Sequence, residues 1–194
     1  GGINSETCSE VINEFDIQKA LDSDLHVDQL ESENRIWRAE NISPKIYEIL
    51  NSNLVKNVSE ALDQKPQFAI VNHVWAGKGP GSGGGWHRDT RYGPQFKIII
   101  YLTDCAEGNG EYWYIPRSHK MLSIFSILRV TELFRKPRYD KVPKLLNYFA
   151  RKMPGKAGDV IITNTVGLHR GSKVINKERF AITIYFENGV KKVA

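Results

Sequence analysis

Trp86-His87-Arg88-Asp89 and, a few residues on, Phe96-Lys97-Ile98-Ile99-Ile100-Tyr101-Leu102-Thr103 are the stretches from which this chain is best read. The second is apolar. Pro94 bounds it on one side and Asp104 to Gly110 on the other, so it reads as a buried strand. In the first, His87 and Asp89 stand two apart. On a strand, residues two apart point to the same side, about 7 Å from each other along the backbone. One imidazole and one carboxylate therefore share a face. Far along the chain, Gly167-Leu168-His169-Arg170-Gly171 offers a second imidazole. It is trailed by another strand pattern, Arg179-Phe180-Ala181-Ile182-Thr183-Ile184-Tyr185-Phe186.

Working outward, further strands are expected at 67–75, 112–115, 158–163 and 178–187, with a hairpin signal at Gly108-Asn109-Gly110. Several short strands with turn signals suggest a double-sheet jelly roll, though propensity alone does not separate a sandwich from a barrel. Residues 43–62 predict one helix, with Ser43 as N-cap, Pro44 at its first position and apolar residues at helical spacing. Residues 3–35 are polar, acidic and weakly patterned. The stretch 121–153 reads as a helical excursion broken at Pro137 and Pro143. Gly77 to Gly85 reads as a loop at the rim of the H-x-D motif.

At 194 residues the chain fits a single domain over 1–194. The expected parts are a β core over about 67–188, an N-terminal helical and irregular support over 1–65, and the helical insert at about 121–153. Hydrophobic content of 41% and charged content of 25% are ordinary for a globular protein, which argues against a disordered or fibrous chain. No apolar run is long enough for a membrane helix, and the acidic first 35 residues do not resemble a signal peptide. Two cysteines, Cys8 and Cys105, give no disulfide framework, so a reducing cytoplasm is expected.

Charge is split along the chain. Residues 1–65 carry 6 basic and 13 acidic side chains, and residues 66–194 carry 21 basic and 9 acidic. Nine of the basic residues lie in 129–156, among them Arg135, Arg138 and Lys141. This reads either as a solvated helical face or as an attractor for an anionic small-molecule substrate. Aromatic residues interleave there, but no nucleic-acid motif accompanies them, so nucleic acid ranks low as a partner. The oligomeric state is not readable from the sequence.

Two histidines and one carboxylate on one side of a metal make the facial triad of non-haem iron oxygenases, with three coordination positions left open. An isolated H-x-D is common by chance. Here it is followed by a buried strand, a distant histidine between two glycines, and an arginine ten residues after that histidine. His26, His73 and His119 carry no comparable context.

In this order of motifs the chain resembles the Fe(II)/2-oxoglutarate-dependent dioxygenases, and within them the phytanoyl-CoA dioxygenase family. Ile115-Pro116-Arg117-Ser118-His119-Lys120 and Gly158-Asp159-Val160-Ile161-Ile162 match that family as well. Arg117 stands where glycine is usual, and Gly110-Glu111-Tyr112 where a Gly-Pro-Leu turn is usual. The resemblance covers about residues 67–188. It implies a double-stranded β-helix (a jelly roll, cupin-like barrel) and a non-haem dioxygenase using Fe(II), 2-oxoglutarate and O2. His87, Asp89 and His169 would bind the metal. Arg179 would grip the far carboxylate of 2-oxoglutarate through its planar two-donor fork, a structural salt bridge being the competing reading. Asn72 and Tyr101 are candidate second anchors. Related halogenases lack the carboxylate, so Asp89 favours hydroxylation or desaturation.

Trp75, Trp86, Arg91, Tyr92 and Trp113 are candidates for the substrate side, Trp86 equally for packing. Two other readings stay open: a cupin-like metal enzyme of different chemistry, and a non-catalytic binding module.

Overall fold

The computed structural model describes residues 2–79, 85–89, 94–120, 138–139 and 147–187. Two N-terminal helices, α1 (Ser5–Asn13) and α2 (Ile17–Asp22), each begin at a side-chain cap. Asn4 accepts from the Thr7 amide at 2.7 Å and Asp16 from the Lys19 amide at 3.0 Å. Strands β1 (Val27–Gln29) and β2 (Glu33–Trp37) follow, then a 3₁₀ turn at Ala39–Asn41. The helix expected over 43–62 is two helices, α3 (Pro44–Leu50) and α4 (Asn53–Leu62). Ser43 caps the first as expected. Ser52 interrupts the pattern because its hydroxyl caps a second helix by accepting from the Val55 amide at 3.4 Å.

The remaining strands are β3 (Pro66–Val74), β4 (Trp86–His87), β5 (Phe96–Tyr101) and β6 (Tyr112–Tyr114), followed by β7 (Arg138–Tyr139), β8 (Arg151–Met153), β9 (Val160–Asn164), β10 (His169–Gly171) and β11 (Arg179–Phe186). They form two antiparallel sheets, ordered β1-β2-β3-β11-β5-β9 and β7-β4-β10-β6-β8. This is the double-stranded β-helix, or jelly roll. Residues 151–153 are a strand paired with β6, not the end of a helical insert. Most of 121–146 lies outside the described residues. The N-terminal segment does more than support the core, because β1 and β2 extend the larger sheet beyond β3.

Strand alternation gives the larger sheet two different faces. On one, Ala69, Val71, Ile98, Ile100, Ile182, Ile184 and Phe186 pack with residues of α1, α3 and α4, including Cys8, Val11, Ile46, Ile49, Val55 and Val58. On the other, Ile70, Asn72, Lys97, Ile99, Arg179, Thr183 and Tyr185 line a cavity that the smaller sheet closes. The apolar half of each strand thus anchors the sheet to the helices and frees the other half for polar chemistry.

Candidate metal and cosubstrate site

β4 and β10 pair with His87 directly opposite His169. Both rings point into the cavity, their centroids 4.2 Å apart. The strand ends at His87, and Asp89 sits just past it in a bend, where its backbone N–H donates to the Thr165 carbonyl at 3.1 Å. Its carboxylate turns back between the imidazoles, with Oδ1 at 3.8 Å from His87 Nε2 and Oδ2 at 3.5 Å from His169 Nε2. One ligand atom from each of the three residues lies within 4.8 Å of the others, the spacing that a single ion can bridge.

The protonation of the site suits a cation. His87 Nδ1 lies 2.8 Å from the Gly85 carbonyl and His169 Nδ1 lies 2.9 Å from the Gly167 carbonyl. A carbonyl only accepts, so each Nδ1 carries the proton and donates it. Each Nε2 lone pair then faces the cavity. The glycines are needed where they stand. Gly85 has φ +106°, and a Cβ on Gly167 would lie 2.2 Å from the Tyr114 hydroxyl. Burial and the neighbouring His87 pull His169 down to about 3, so its ring is neutral at ordinary pH. Burial alone would push the Asp89 carboxyl up. The charge of Lys97, with His169 and His87, outweighs that and holds it well below the usual carboxylate range.

Arg179 opens β11 and lies in the same cavity of about 310 Å³. It is 5% exposed, and its Nε and Nη1 have no hydrogen-bond partner among the described residues. No carboxylate pairs with it there, so the salt-bridge reading is not supported. A buried guanidinium with two unmet donors is costly unless a ligand supplies acceptors. Asn72 lies on the neighbouring strand, paired with Ala181, and lines the same cavity. Tyr101 does not offer its hydroxyl to the cavity. Its O–H donates to the Met153 carbonyl at 2.8 Å and its oxygen accepts from the Tyr112 amide at 2.7 Å. Its ring instead lies beneath the Arg179 guanidinium at 5.7 Å.

Trp113, expected on the substrate side, and Trp86, expected either there or in packing, face away from the cavity. Alternation on β4 and β6 turns Trp86 and Trp113 to the far side of the smaller sheet. There they pack with Ile115 and Leu168, and Arg170 lies over both rings. Trp75 packs on His73 outside the cavity lining. Arg91, Tyr92, Arg135 and Lys141 lie outside the described residues. Arg138 is placed by its backbone alone, paired with His87 across β4 and β7. His26 and His73 pair with Asp28 and Glu178, and His119 Nδ1 lies 3.4 Å from the Tyr114 hydroxyl, all away from the triad.

Among the cavity residues that escaped the sequence reading, two carry charge and lie outside the motifs. Arg35 on β2 was hidden in a segment with no clear pattern, and it pairs with Glu33. Lys97 was hidden in the apolar run of β5, where a single lysine was the available signal.

The family model for phytanoyl-CoA dioxygenase (PhyH) matches residues 5–179. The chain belongs to the phytanoyl-CoA dioxygenase family. It is a non-haem, iron- and 2-oxoglutarate-dependent oxygenase, with Fe(II), 2-oxoglutarate and O2 as cofactor and cosubstrates. The match reaches into the N-terminal helices, well beyond the stretch in which the motifs were recognised. No curated protein sequence matches this family member at a significant level.

Among solved structures, AviO1 from Streptomyces viridochromogenes Tue57 aligns with 99% of this chain and 89% of its own, at 16% identity and a TM-score of 0.66. HygX from Streptomyces hygroscopicus, with nickel, 2-oxoglutarate and hygromycin B bound, aligns with 98% of this chain and 81% of its own, at 14% identity and a TM-score of 0.64. SnoN, a non-heme alpha ketoglutarate dependent epimerase from nogalamycin biosynthesis, aligns with 96% and 74%, at 14% identity and a TM-score of 0.65. At these identities the likeness is one of fold. No helix among the described residues is long and apolar enough to cross a membrane.

Proposed function

We propose that this oxygenase hydroxylates an unactivated C–H bond of a small, anionic metabolite, with release of succinate and CO2. The observation that carries the reading is Arg179, buried with two unmet N–H donors in the same cavity as the triad. A dicarboxylate fits that arrangement: one end would meet the guanidinium while the other reaches the metal. His87, Asp89 and His169 hold the metal, and Arg179 with Asn72 orients 2-oxoglutarate. Iron and 2-oxoglutarate together would supply the electrons that activate O2 for attack on a C–H bond. The residues supply neutral Nε2 ligands, an ionised carboxylate, and a fixed direction of approach.

Arg35 on the cavity wall and Arg138 at the register position beside His87 support an anionic substrate. Arg135, Arg138 and Lys141 remain the proposed substrate contacts in the basic segment, with Arg91 and Tyr92 at the rim. Charge reversal of Arg135, Arg138 and Lys141 is expected to abolish turnover of the anionic substrate, and unchanged turnover would remove them. Both cysteines are buried and free, which supports a reducing, cytoplasmic setting. The chain is proposed to act as one domain.

The test is anaerobic addition of Fe(II) and 2-oxoglutarate, read by the weak visible charge-transfer band of the chelate. The band is expected in the wild type and absent in Arg179→Ala at the same cosubstrate concentration. Metal binding with no band in the wild type would favour a cupin-like enzyme of other chemistry. A band without succinate release for any substrate class would favour a binding module.

A further inference from the structure

Lys97 is 5% exposed, yet it sits in a strand whose neighbours are otherwise apolar. Register places it between Tyr185 on β11 and Thr163 on β9, pointing into the cavity. Its ammonium lies 2.7 Å from Asp89 Oδ2 and 3.8 Å from the centroid of the Tyr185 ring. The carboxylate and the ring face together hold it in place.

A buried ion pair is weak evidence for stability, since apolar residues of similar size often do as well. A lysine retained here calls for another reason. The pair divides the carboxylate in two. Oδ2 is bonded to Lys97 at 2.7 Å and also lies 3.5 Å from His169 Nε2, while Oδ1 faces His87 Nε2 at 3.8 Å. Outer partners of this kind fix how a ligand meets its metal.

We propose that Lys97 is a positioning residue that holds Asp89 to single-oxygen metal binding. The inference rests on the triad reading above. A carboxylate binding through one oxygen leaves three positions of an octahedron, enough for a two-point chelating keto acid and one further molecule. A carboxylate binding through both oxygens would leave only two. The chelate would then fill the site and shut out oxygen. Lys97 thus keeps the last position open without touching it.

The experiment uses Mn(II) as the probe and reads water-proton relaxivity, which counts exchangeable waters on the metal. Wild type is expected to show about three such waters with Mn(II) alone and about one with 2-oxoglutarate added. Lys97→Met should still bind Mn(II) but carry about one water fewer in each state, falling to about none with 2-oxoglutarate. Lys97→Arg, which keeps the charge and the donors, should restore the wild-type count. Lys97→Gln stands in if the methionine variant does not fold.

An unchanged water count in Lys97→Met would overturn the proposal. So would outright loss of Mn(II) by the folded variant, because a carboxylate released from Lys97 should still hold the ion. Weaker 2-oxoglutarate binding with an unchanged count for Mn(II) alone would also overturn it, by making Lys97 a cosubstrate contact. Failure of the underlying site reading looks different: the wild type itself would not bind Mn(II), or would show no response to 2-oxoglutarate.

Discussion

Arg179 and Asn72 stand on adjacent strands, two register steps apart, and they share a cavity with three potential metal ligands. Arg179→Lys keeps the charge but loses the fork, so 2-oxoglutarate affinity is expected to fall roughly ten- to hundredfold. Titration of the chelate band measures this. Arg117 is a second informative residue. It occupies the turn position where the family usually has glycine, and its φ of +63° is the left-handed region that disfavours a side chain. Arg117→Gly is expected to raise stability by about 1 kcal/mol in urea unfolding.

His169 gives a pH dependence whose sign follows from proton counting. Its pKa falls from 6.5 to about 3 on folding. Between those values the unfolded chain binds a proton that the folded chain does not, so stability falls as pH drops through that window. Asp89 is held ionised in the fold, so its contribution is lost further down, as pH falls below its unfolded value of roughly 3.9. Thermal midpoints of metal-free protein from pH 7 to pH 4 should fall steadily, and His169→Gln should flatten the upper part of that curve.

Among the elements, β11 was legible in the sequence because its alternation is nearly unbroken. Ile182 and Ile184 are fully buried against the helices, while Arg179, Thr183 and Tyr185 face the cavity. Ile182→Ala is expected to cost roughly 2–5 kcal/mol with little change in metal affinity, measured by urea unfolding and metal titration. β4 was legible for its motif but not for its length. Two residues of strand are too few to show a period, and Asp89 reaches the site through a bend held by the Thr165 carbonyl. The break between α3 and α4 was missed because the apolar spacing runs through it, while the Ser52 cap competes locally. Trp113, and Trp86 in one of its two readings, were placed on the substrate side for a similar reason. An aromatic next to a metal ligand looks like a pocket wall until alternation turns it to the opposite face.

At the scale of the whole molecule, the motifs pointed to the barrel and to three residues that the fold brings together, because few chemistries need that order of residues. They did not show that β1 and β2 belong to the larger sheet, since short polar strands gain their order from pairing with β3. Filling the site should stabilise the whole fold through linkage. Mn(II) at about a hundred times its dissociation constant should add about 2.7 kcal/mol, and 2-oxoglutarate should add further to it. A thermal-shift measurement should show the rise in wild type and none in His169→Ala.

The pieces of the site are joined largely through main-chain acceptors. His87 donates to the Gly85 carbonyl and His169 to the Gly167 carbonyl. Arg88, the middle residue of the H-x-D motif, donates to the Val166 carbonyl at 2.8 Å and the Ser118 carbonyl at 3.1 Å. A carbonyl is present whatever side chain its residue carries. In a saturation scan, therefore, the donors should be brittle while Val166 accepts other apolar residues. Gly85 and Gly167 should be exceptions for reasons of shape alone. The site would then be free to drift in sequence around its acceptors while its donors stay put.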